Sequence, residues 1–424
     1  MGIPVLRLPK LSGALWSHAG FLRLWAAQTV SSVGARITRE GLALASVLTI
    51  DAKPFQIGIL AALYMGPNVL VGLTAGGFVD RSNKRRIMIG ADVARAAVLI
   101  TIPLAAWFHL LAMNQLYLVA LAMGTLSVLF DIADHAYLPH LIAREHLTEG
   151  NTKLSATEGL AEIGGPALAG VLIQALTAPF AIAVNAGTYL VSAIFLGTIR
   201  EREDSHDPAK KRPTLLSDLK LGYEIFAHNA LLRPLFVMAT FAPLFSGTFS
   251  ALYVIFAIKT LGFTPALMGI TVAVGGIGSL LGTAMSGPMV RALGVGRTIL
   301  FGYLISALSA FCVPLAFGPL WLKVAMLMTA QLLGDSFAVA AIIPAASLRQ
   351  SIIPRAMLGR AAAMMSVTAG TSAVIGALAG GVLGSLAGPR PALLLGVTGI
   401  VAMPLLGMLS PLLRLKEIPK DAAP

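Results

Sequence analysis

Apolar runs of 20 or more residues recur from one end of this 424-residue chain to the other, and nothing else in it limits the fold so sharply. A helix of about 20 residues, each rising about 1.5 Å, crosses a hydrocarbon core of about 30 Å. Lipid offers the backbone no hydrogen-bond partners, so each crossing segment must satisfy its own amides, and for separate runs of this length that means α-helix. Composition agrees. With 57% hydrophobic and 12% charged residues and a mean hydropathy of +0.83, the chain has too little polar surface to coat a soluble globule. Its 43 glycines and 24 prolines are also tolerated where neighbouring membrane helices satisfy a loosened backbone.

Runs and breaks together predict twelve spans, at about 22–50, 56–79, 87–111, 115–138, 154–177, 179–199, 234–258, 266–290, 297–317, 320–347, 359–387 and 390–413. An even number leaves both ends on one side. Arg7, Lys10 and Arg23 precede or open the first span, Arg81, Lys84, Arg85 and Arg86 fill the second connection, and Arg144 with Lys153 marks the fourth. The alternate connections offer only Lys53, Lys259, Lys323 and Arg390. By the positive-inside rule, both ends and the even-numbered connections are cytoplasmic. Residues 1–199 then form an N-terminal six-helix bundle with a cytoplasmic tail, 200–233 a cytoplasmic linker, and 234–424 a C-terminal six-helix bundle. The linker mixes charge with Pro208 and Pro213 and is expected to carry a short amphipathic helix over Ser217–Phe226, near the membrane surface.

The net charge of +12 is spread over short loops with no aromatic-interleaved groove, so nucleic acid is not an expected partner. Cys312 is the single cysteine and lies inside an apolar run, which excludes an internal disulfide and a cysteine-type zinc site. No cofactor is implied, and no metal: Asp131, Asp134 and His135 stand close to the cytoplasmic end of the fourth span, where pairing with loop arginines or Arg95 suits them better. There is no HExxH motif, nucleotide-type glycine-rich loop or nucleophile elbow to suggest an enzyme.

Shifting the chain by 211 residues places Gly58 on Gly269, Gly76 on Gly287, Arg86 on Arg297, Gly165 on Gly376 and Gly170 on Gly381. The segment Ala143–Leu147 falls on Pro354–Leu358, keeping arginine and leucine. A shift of six spans restores the same membrane orientation, so the halves are parallel repeats about an axis along the membrane normal, which puts a binding site between them near mid-depth.

The stretch Gly76–Arg86, GGFVDRSNKRR, resembles the signature loop of the major facilitator superfamily, with Gly76, Asp80, Arg81, Lys84 and Arg85 matching and Asn83 where many members have glycine. The resemblance implies the major facilitator fold, an all-α membrane protein of two parallel-related six-helix bundles, and a cytoplasmic gating latch in which Asp80 pairs with arginines and caps a neighbouring helix. Asp92 and Arg95, at the start of the third span, and Asp131 are expected to join it. The second-half counterpart, Gly287–Arg297, has Arg291 in place of the aspartate, so its latch is expected to be degraded. Four further stretches resemble the bacterial efflux branch that includes macrolide-efflux and enterobactin-exporter proteins: FLRLWAAQTVSSVGARITR, AYLPHLIAREHLTEGN, LSDLKLGYEIFAHNALLRPL and LRQSIIPRAMLGR. GGPALAG, from Gly164 to Gly170, resembles the glycine-proline motif of antiporters, one residue longer than the strict form. Gly165, Pro166 and Gly170 are expected to bend the fifth span at a moving interface.

Arg36, Arg39 and Glu40 lie near mid-depth in the first span, where each would cost about 2.5 to 3.5 kcal/mol if it faced lipid, so they must face a cavity or one another. Arg36 and Glu40 are four apart, on one helical face, and can pair. Ala35 stands where the family usually has an aspartate, which makes Glu40 the carboxylate of interest. Glu162 and Asp335 are further acids inside spans. A carboxyl poor in water beside a cation lets proton and substrate compete, so Arg36, Arg39, Glu40, Glu162 and Asp335 are candidates for coupling or substrate binding. Tyr64, Asn68, Trp107, Asn185, Phe245 and Gln331 are candidates to line a pocket. The expected function is proton-driven export of a small organic compound, such as a drug, siderophore or related metabolite, by a monomer in the bacterial inner membrane. An importer of the same fold satisfies the same observations, and a non-transporting membrane receptor or enzyme is a more distant reading.

Overall fold

The computed structural model describes residues 14–200 and 215–419, without the side chains of Leu73, Asp80 and residues 215–218. Arg7, Lys10, Pro208 and Pro213 therefore lie outside the described residues, and so does the side chain of Asp80. The described chain is helical almost throughout. Its helices are α1 (Ala19–Leu48), α2 (Pro54–Arg81), α3 (Lys84–Trp107), α4 (Met113–Leu141), α5 (Leu147–Leu176) and α6 (Ala178–Thr198), then α7 (Leu215–Ala227). They continue with α8 (Leu232–Ile255), α9 (Pro265–Leu293), α10 (Val295–Ser309), α11 (Leu320–Ile352), α12 (Leu358–Ala387) and α13 (Pro389–Met408). Eleven helices among the described residues are long and apolar enough to cross a membrane. α1 falls short of that standard because it carries Arg23, Arg36, Arg39 and Glu40, but its 30 residues have the length of a span.

Helix starts follow local chemistry. Proline opens both α2 and α9, at Pro54 and Pro265, where its missing N–H costs nothing. His18 caps α1 by accepting the Phe21 amide at 3.0 Å, Asn83 caps α3 by accepting the Arg86 amide at 2.8 Å, and the Thr264 hydroxyl accepts the Leu267 amide at 3.3 Å ahead of α9.

Packing repeats with the sequence. In the first half α1 packs on α5 and α6, α2 on α4, and α3 on α4 and α6. In the second half, six spans on, α8 packs on α12 and α13, α9 on α11, and α10 on α11 and α13. The two bundles meet through α2 against α12 and α5 against α9, which the 211-residue shift exchanges. The chain thus has the parallel-repeat architecture that the glycine offset implies. Between the bundles α7 covers the expected linker helix and one to two residues beyond each end of it. It lies on α12 and α8: Phe226 stacks on Phe236 at 4.7 Å, and a Cβ at Gly222 would come within 2.8 Å of the Arg360 carbonyl.

Candidate functional site

The start of α1, the end of α13 and α7 lie on one face, here the terminal face. Toward the opposite face the two halves are shut against each other, backbone to backbone. A Cβ at Gly269 on α9 would fall 2.2 Å from the Pro166 carbonyl oxygen and 3.1 Å from the Gly170 Cα on α5. Its repeat mate, Gly58 on α2, would meet the Ala377 carbonyl at 2.7 Å and the Gly381 Cα at 2.9 Å on α12. Only glycine permits so close an approach. The GGPALAG segment is therefore filled from across the interface, while α5 runs unbroken through Pro166. Two residues absent from the sequence reading complete the closure. The Phe55 amide in the first turn of α2 donates to the Ser385 hydroxyl of α12 at 3.0 Å, and the Ala266 amide in the first turn of α9 donates to Gln174 Oε1 of α5 at 3.2 Å. The 211-residue shift converts one bond into the other, so each half caps a helix start of its partner. No local motif marks Ser385 or Gln174; only the offset applied to both ends of each bond could have found them.

An ion pair joins the halves at the same face, between Lys259 Nζ and the Asp51 carboxylate. Its hydrogen bond with Lys259 holds the Asp51 carboxyl below its ordinary value of 3.8. A depressed carboxyl contributes to closure above its unpaired value and loses that contribution as pH falls through the lowered one. Closure through this pair is therefore expected to be flat across neutral pH and to weaken only in acid. Asp51 has a left-handed φ of 57°, which asparagine tolerates, so Asp51→Asn isolates the charge. Distance measurements between labels on the two halves are expected to show a modest shift toward the open form in the variant. That shift should vanish in high salt, as for an exposed pair; one that persists there would contradict an electrostatic role.

Beneath this seal lies a cavity of about 540 Å³ between the halves, lined by α1 and α2 on one side and α8, α9 and α11 on the other. Its wall is largely apolar, with Phe249 and Tyr253 stacked at 5.6 Å. Arg39, Glu40, Tyr64 and Gln331 supply polar groups. Of the other pocket candidates, Asn185 is fully buried and donates to the Thr38 hydroxyl, and Trp107 is 70% exposed at the end of α3. Phe245 packs where a Cβ of Gly399 would be, and neither it nor Asn68 is among the lining residues.

The charges of α1 pair differently from the expectation. Arg36 does not turn to Glu40. It crosses to α5 and holds the Glu162 carboxylate with both terminal nitrogens, Nη1 at 2.8 Å from Oε1. Gly165 explains the choice, since a Cβ there would fall 2.6 Å from Arg36 Cγ, so the glycine clears the path of the side chain along α5. Glu40 is left with Arg39 at 3.8 Å. Asp335 of α11 fills the space beside Gly275, where a Cβ would lie 2.1 Å from its Oδ2, and no described cation pairs with it. On the terminal side of Arg39 and Tyr64 a groove of about 430 Å³ is walled by the first half alone and bears Asp131, Asp134, His135 and Glu158.

The Major Facilitator Superfamily model matches residues 24–349. The chain belongs to that superfamily. It is similar to YfiS, an uncharacterized MFS-type transporter of Bacillus subtilis, at 26% identity over 276 residues, 64% of this chain and 64% of YfiS. It is similar to macrolide efflux protein A of Streptococcus pyogenes, at 23% identity over 63% of this chain and 66% of that protein. It is also similar to the enterobactin exporter EntS of Citrobacter koseri, at 25% identity over 93% of this chain and 92% of EntS. The chain thus matches just under two thirds of the length of some relatives and nearly all of another. In fold it resembles a bacterial homologue of the iron transporter ferroportin in an inward-facing state, with a TM-score of 0.72 and 17% identity over 94% of this chain and 99% of that one.

The described signature-loop residues of this major facilitator protein sit where α2 gives way to α3. Gly76 and Arg81 end α2, and Lys84 is buried at the start of α3. Arg85 reaches α6, where its Nε donates to the Leu196 carbonyl at 2.7 Å and Nη2 to that of Gly197. Asp92 and Arg95 lie deeper than the loop and pair with each other at 2.5 Å. The Arg95 guanidinium is held between the rings of Phe130 and Tyr189, each 4.3 Å from its centre. Asp134, expected near arginines, accepts instead from the Gln28 amide.

Proposed function

We propose that this protein is a proton-coupled exporter of a small organic compound, working by alternating access in a bacterial inner membrane as a monomer with both ends cytoplasmic. The observation that carries the reading is the position of Glu40. It lies in the wall of the inter-half cavity, its side chain 14% exposed, beside Arg39 and one helical turn from the Arg36–Glu162 pair. A carboxyl so placed exchanges its proton when a substrate enters or leaves. Residues 1–199 and 234–424 are the moving bodies and 200–233 their tether. In the closed opposite face, Pro166 and Gly170 of α5 form one of the two sliding surfaces, while Gly165 behind them seats Arg36. Gly76, Asp80, Arg81, Lys84, Arg85, Asp92, Arg95 and Asp131 form the latch that closes the terminal face when the cycle reverses. The relatives named for macrolide efflux and enterobactin export support export, and point to a drug or siderophore as cargo.

Inverted vesicles test the reading with a labelled macrolide and with enterobactin. Gradient-driven accumulation in the native protein is expected to collapse with the proton gradient. In Glu40→Gln it should fall to background while exchange of internal for external substrate continues, because exchange needs alternation without net proton transfer. Accumulation that survives gradient collapse would remove proton coupling, and undiminished accumulation in Glu40→Gln would remove Glu40 from it.

A further inference from the structure

The N-terminus of α10 has no side chain to cap it. The 211-residue shift that pairs the halves places Asn83, the cap of α3, on Gly294, the residue before α10, and glycine has no oxygen to offer. It also places Arg85, which ties the start of α3 to the last carbonyls of α6, on Gly296. The loop leading into α10 has therefore lost both ties that its first-half counterpart uses. An α-helix begins with amides that have no partner inside the helix, and two of them here are bonded all the same. The Val295 amide donates to the Lys416 carbonyl at 3.0 Å, and the Gly296 amide donates to the Leu415 carbonyl at 2.9 Å.

These acceptors belong to the segment after α13, which turns at Pro411–Arg414 and runs back across the start of α10. Its anchor is Leu412, fully buried with Val295, Ile299 and Leu300, while Leu413, Leu415 and Ile418 pack at the margin. The fit leaves no room for side chains on the loop. A Cβ at Gly296 would lie 1.6 Å from the Leu412 carbonyl oxygen, and one at Gly294, whose φ is +84°, would lie 3.0 Å from the Lys416 Cα.

We propose that the start of α10 is a carbonyl-binding site filled by the protein's own segment 411–416, a backbone strap that replaces the side-chain caps of the first half. The second-half loop, which has Arg291 where the first-half latch has aspartate, has its first α10 amides held by this strap and not by side-chain caps of its own. Rigidity of the α9–α10 connection then depends on a segment more than a hundred residues away. Whatever displaces that segment frees the loop.

A single methyl group tests the proposal through a change of sign. Glycine to alanine inside a helix ordinarily stabilises it, by about 1 kcal/mol. Gly296→Ala should do the reverse in the full chain, because the methyl meets the Leu412 carbonyl. Hydrogen exchange of the purified transporter is expected to show the Val295 and Gly296 amides exchanging at least about tenfold faster, the opening of one to two hydrogen bonds. The Arg86 amide, held by Asn83, should not change. In a chain ended after Ser410 those two amides should already exchange fast, and adding Gly296→Ala should then raise the melting temperature or leave it unchanged. An equal loss from Gly296→Ala with and without the segment would overturn the proposal, as would unaltered exchange at Val295 and Gly296 in the shortened chain. If the shortened chain fails to fold, Leu412→Ala in the full chain removes the anchor. The same two amides must then accelerate ahead of the rest of α10, and uniform acceleration would equally overturn the strap.

Discussion

Gly269→Val is expected to leave a folded transporter that can no longer hold its opposite face shut. The Cβ of any residue there would lie 2.2 Å from the Pro166 carbonyl oxygen, and the atoms in the way are backbone, which cannot rotate aside. Overpacking of this kind costs about 1 to 3 kcal/mol, which shifts an open-to-closed ratio by about five- to 150-fold. The cost falls on the closed form alone, because the helices separate when the face opens. A cysteine at Ser250, in the cavity wall, reports this in a Cys312→Ser background. Its labelling by an impermeant thiol reagent from the opposite side should rise by at least about fivefold while transport falls. Gly58→Ala, the repeat mate, should act in the same direction more weakly, since its obstacle, the Ala377 carbonyl, stands at 2.7 Å. Gly66→Ala should leave the labelling unchanged, because no atom lies within 4 Å of its Cβ. Loss of transport with unchanged labelling would mean that Gly269 serves some other step.

The repeat shows what the sequence could and could not disclose. Hydrophobic runs are long compared with their breaks, so the linker helix and a helix at each of the twelve expected places were legible, eleven of them long and apolar enough to span, most boundaries falling within a few residues of the helices observed. The 211-residue offset was legible too, because glycines survive as spacing markers. What the offset cannot say is which repeat mates touch. Gly58 and Gly269 are equivalent and far apart; each meets the fifth helix of the other half, so the contact is visible only after the halves are docked. The charges of α1 failed for a related reason. Helical spacing favoured Arg36 with Glu40, but spacing within one helix carries no information about a glycine on another. Gly165 opens the path to Glu162, and a bidentate partner prevails over a neighbour on the same helix. The caps at Ser385 and Gln174 and the strap at Leu415 and Lys416 were invisible because serine, glutamine and a backbone carbonyl have no signature away from their targets.

Breaking the Arg36–Glu162 pair should have the next largest effect, and its outcome can be reasoned from the same geometry. Arg36 has a side chain 15% exposed, lying on the backbone of Gly165, whereas Glu162 is 47% exposed. The two ends of the bond are therefore unequal. Removing the carboxylate in Glu162→Gln strands a mostly buried guanidinium, and removing the guanidinium in Arg36→Gln leaves a carboxylate that water can still reach. Charged hydrogen bonds contribute about 1.5 to 3 kcal/mol, and the exposure of Glu162 places this pair toward the lower end. Glu162→Gln is expected to lower thermal stability in detergent more than Arg36→Gln does, with a coupling of about 1 to 2 kcal/mol in the double-mutant cycle. Arg36→Lys should retain little of it, because an ammonium cannot match both carboxylate oxygens. The stranded Arg36 of Glu162→Gln has one acid in reach on its own helix, Glu40, the partner that i, i+4 spacing offers it. Adding Glu40→Gln to Glu162→Gln should therefore destabilise further, and by more than Glu40→Gln does in the native background. If the two substitutions simply add, Arg36 does not change partners, and Glu40 is electrically separate from the pair beside it.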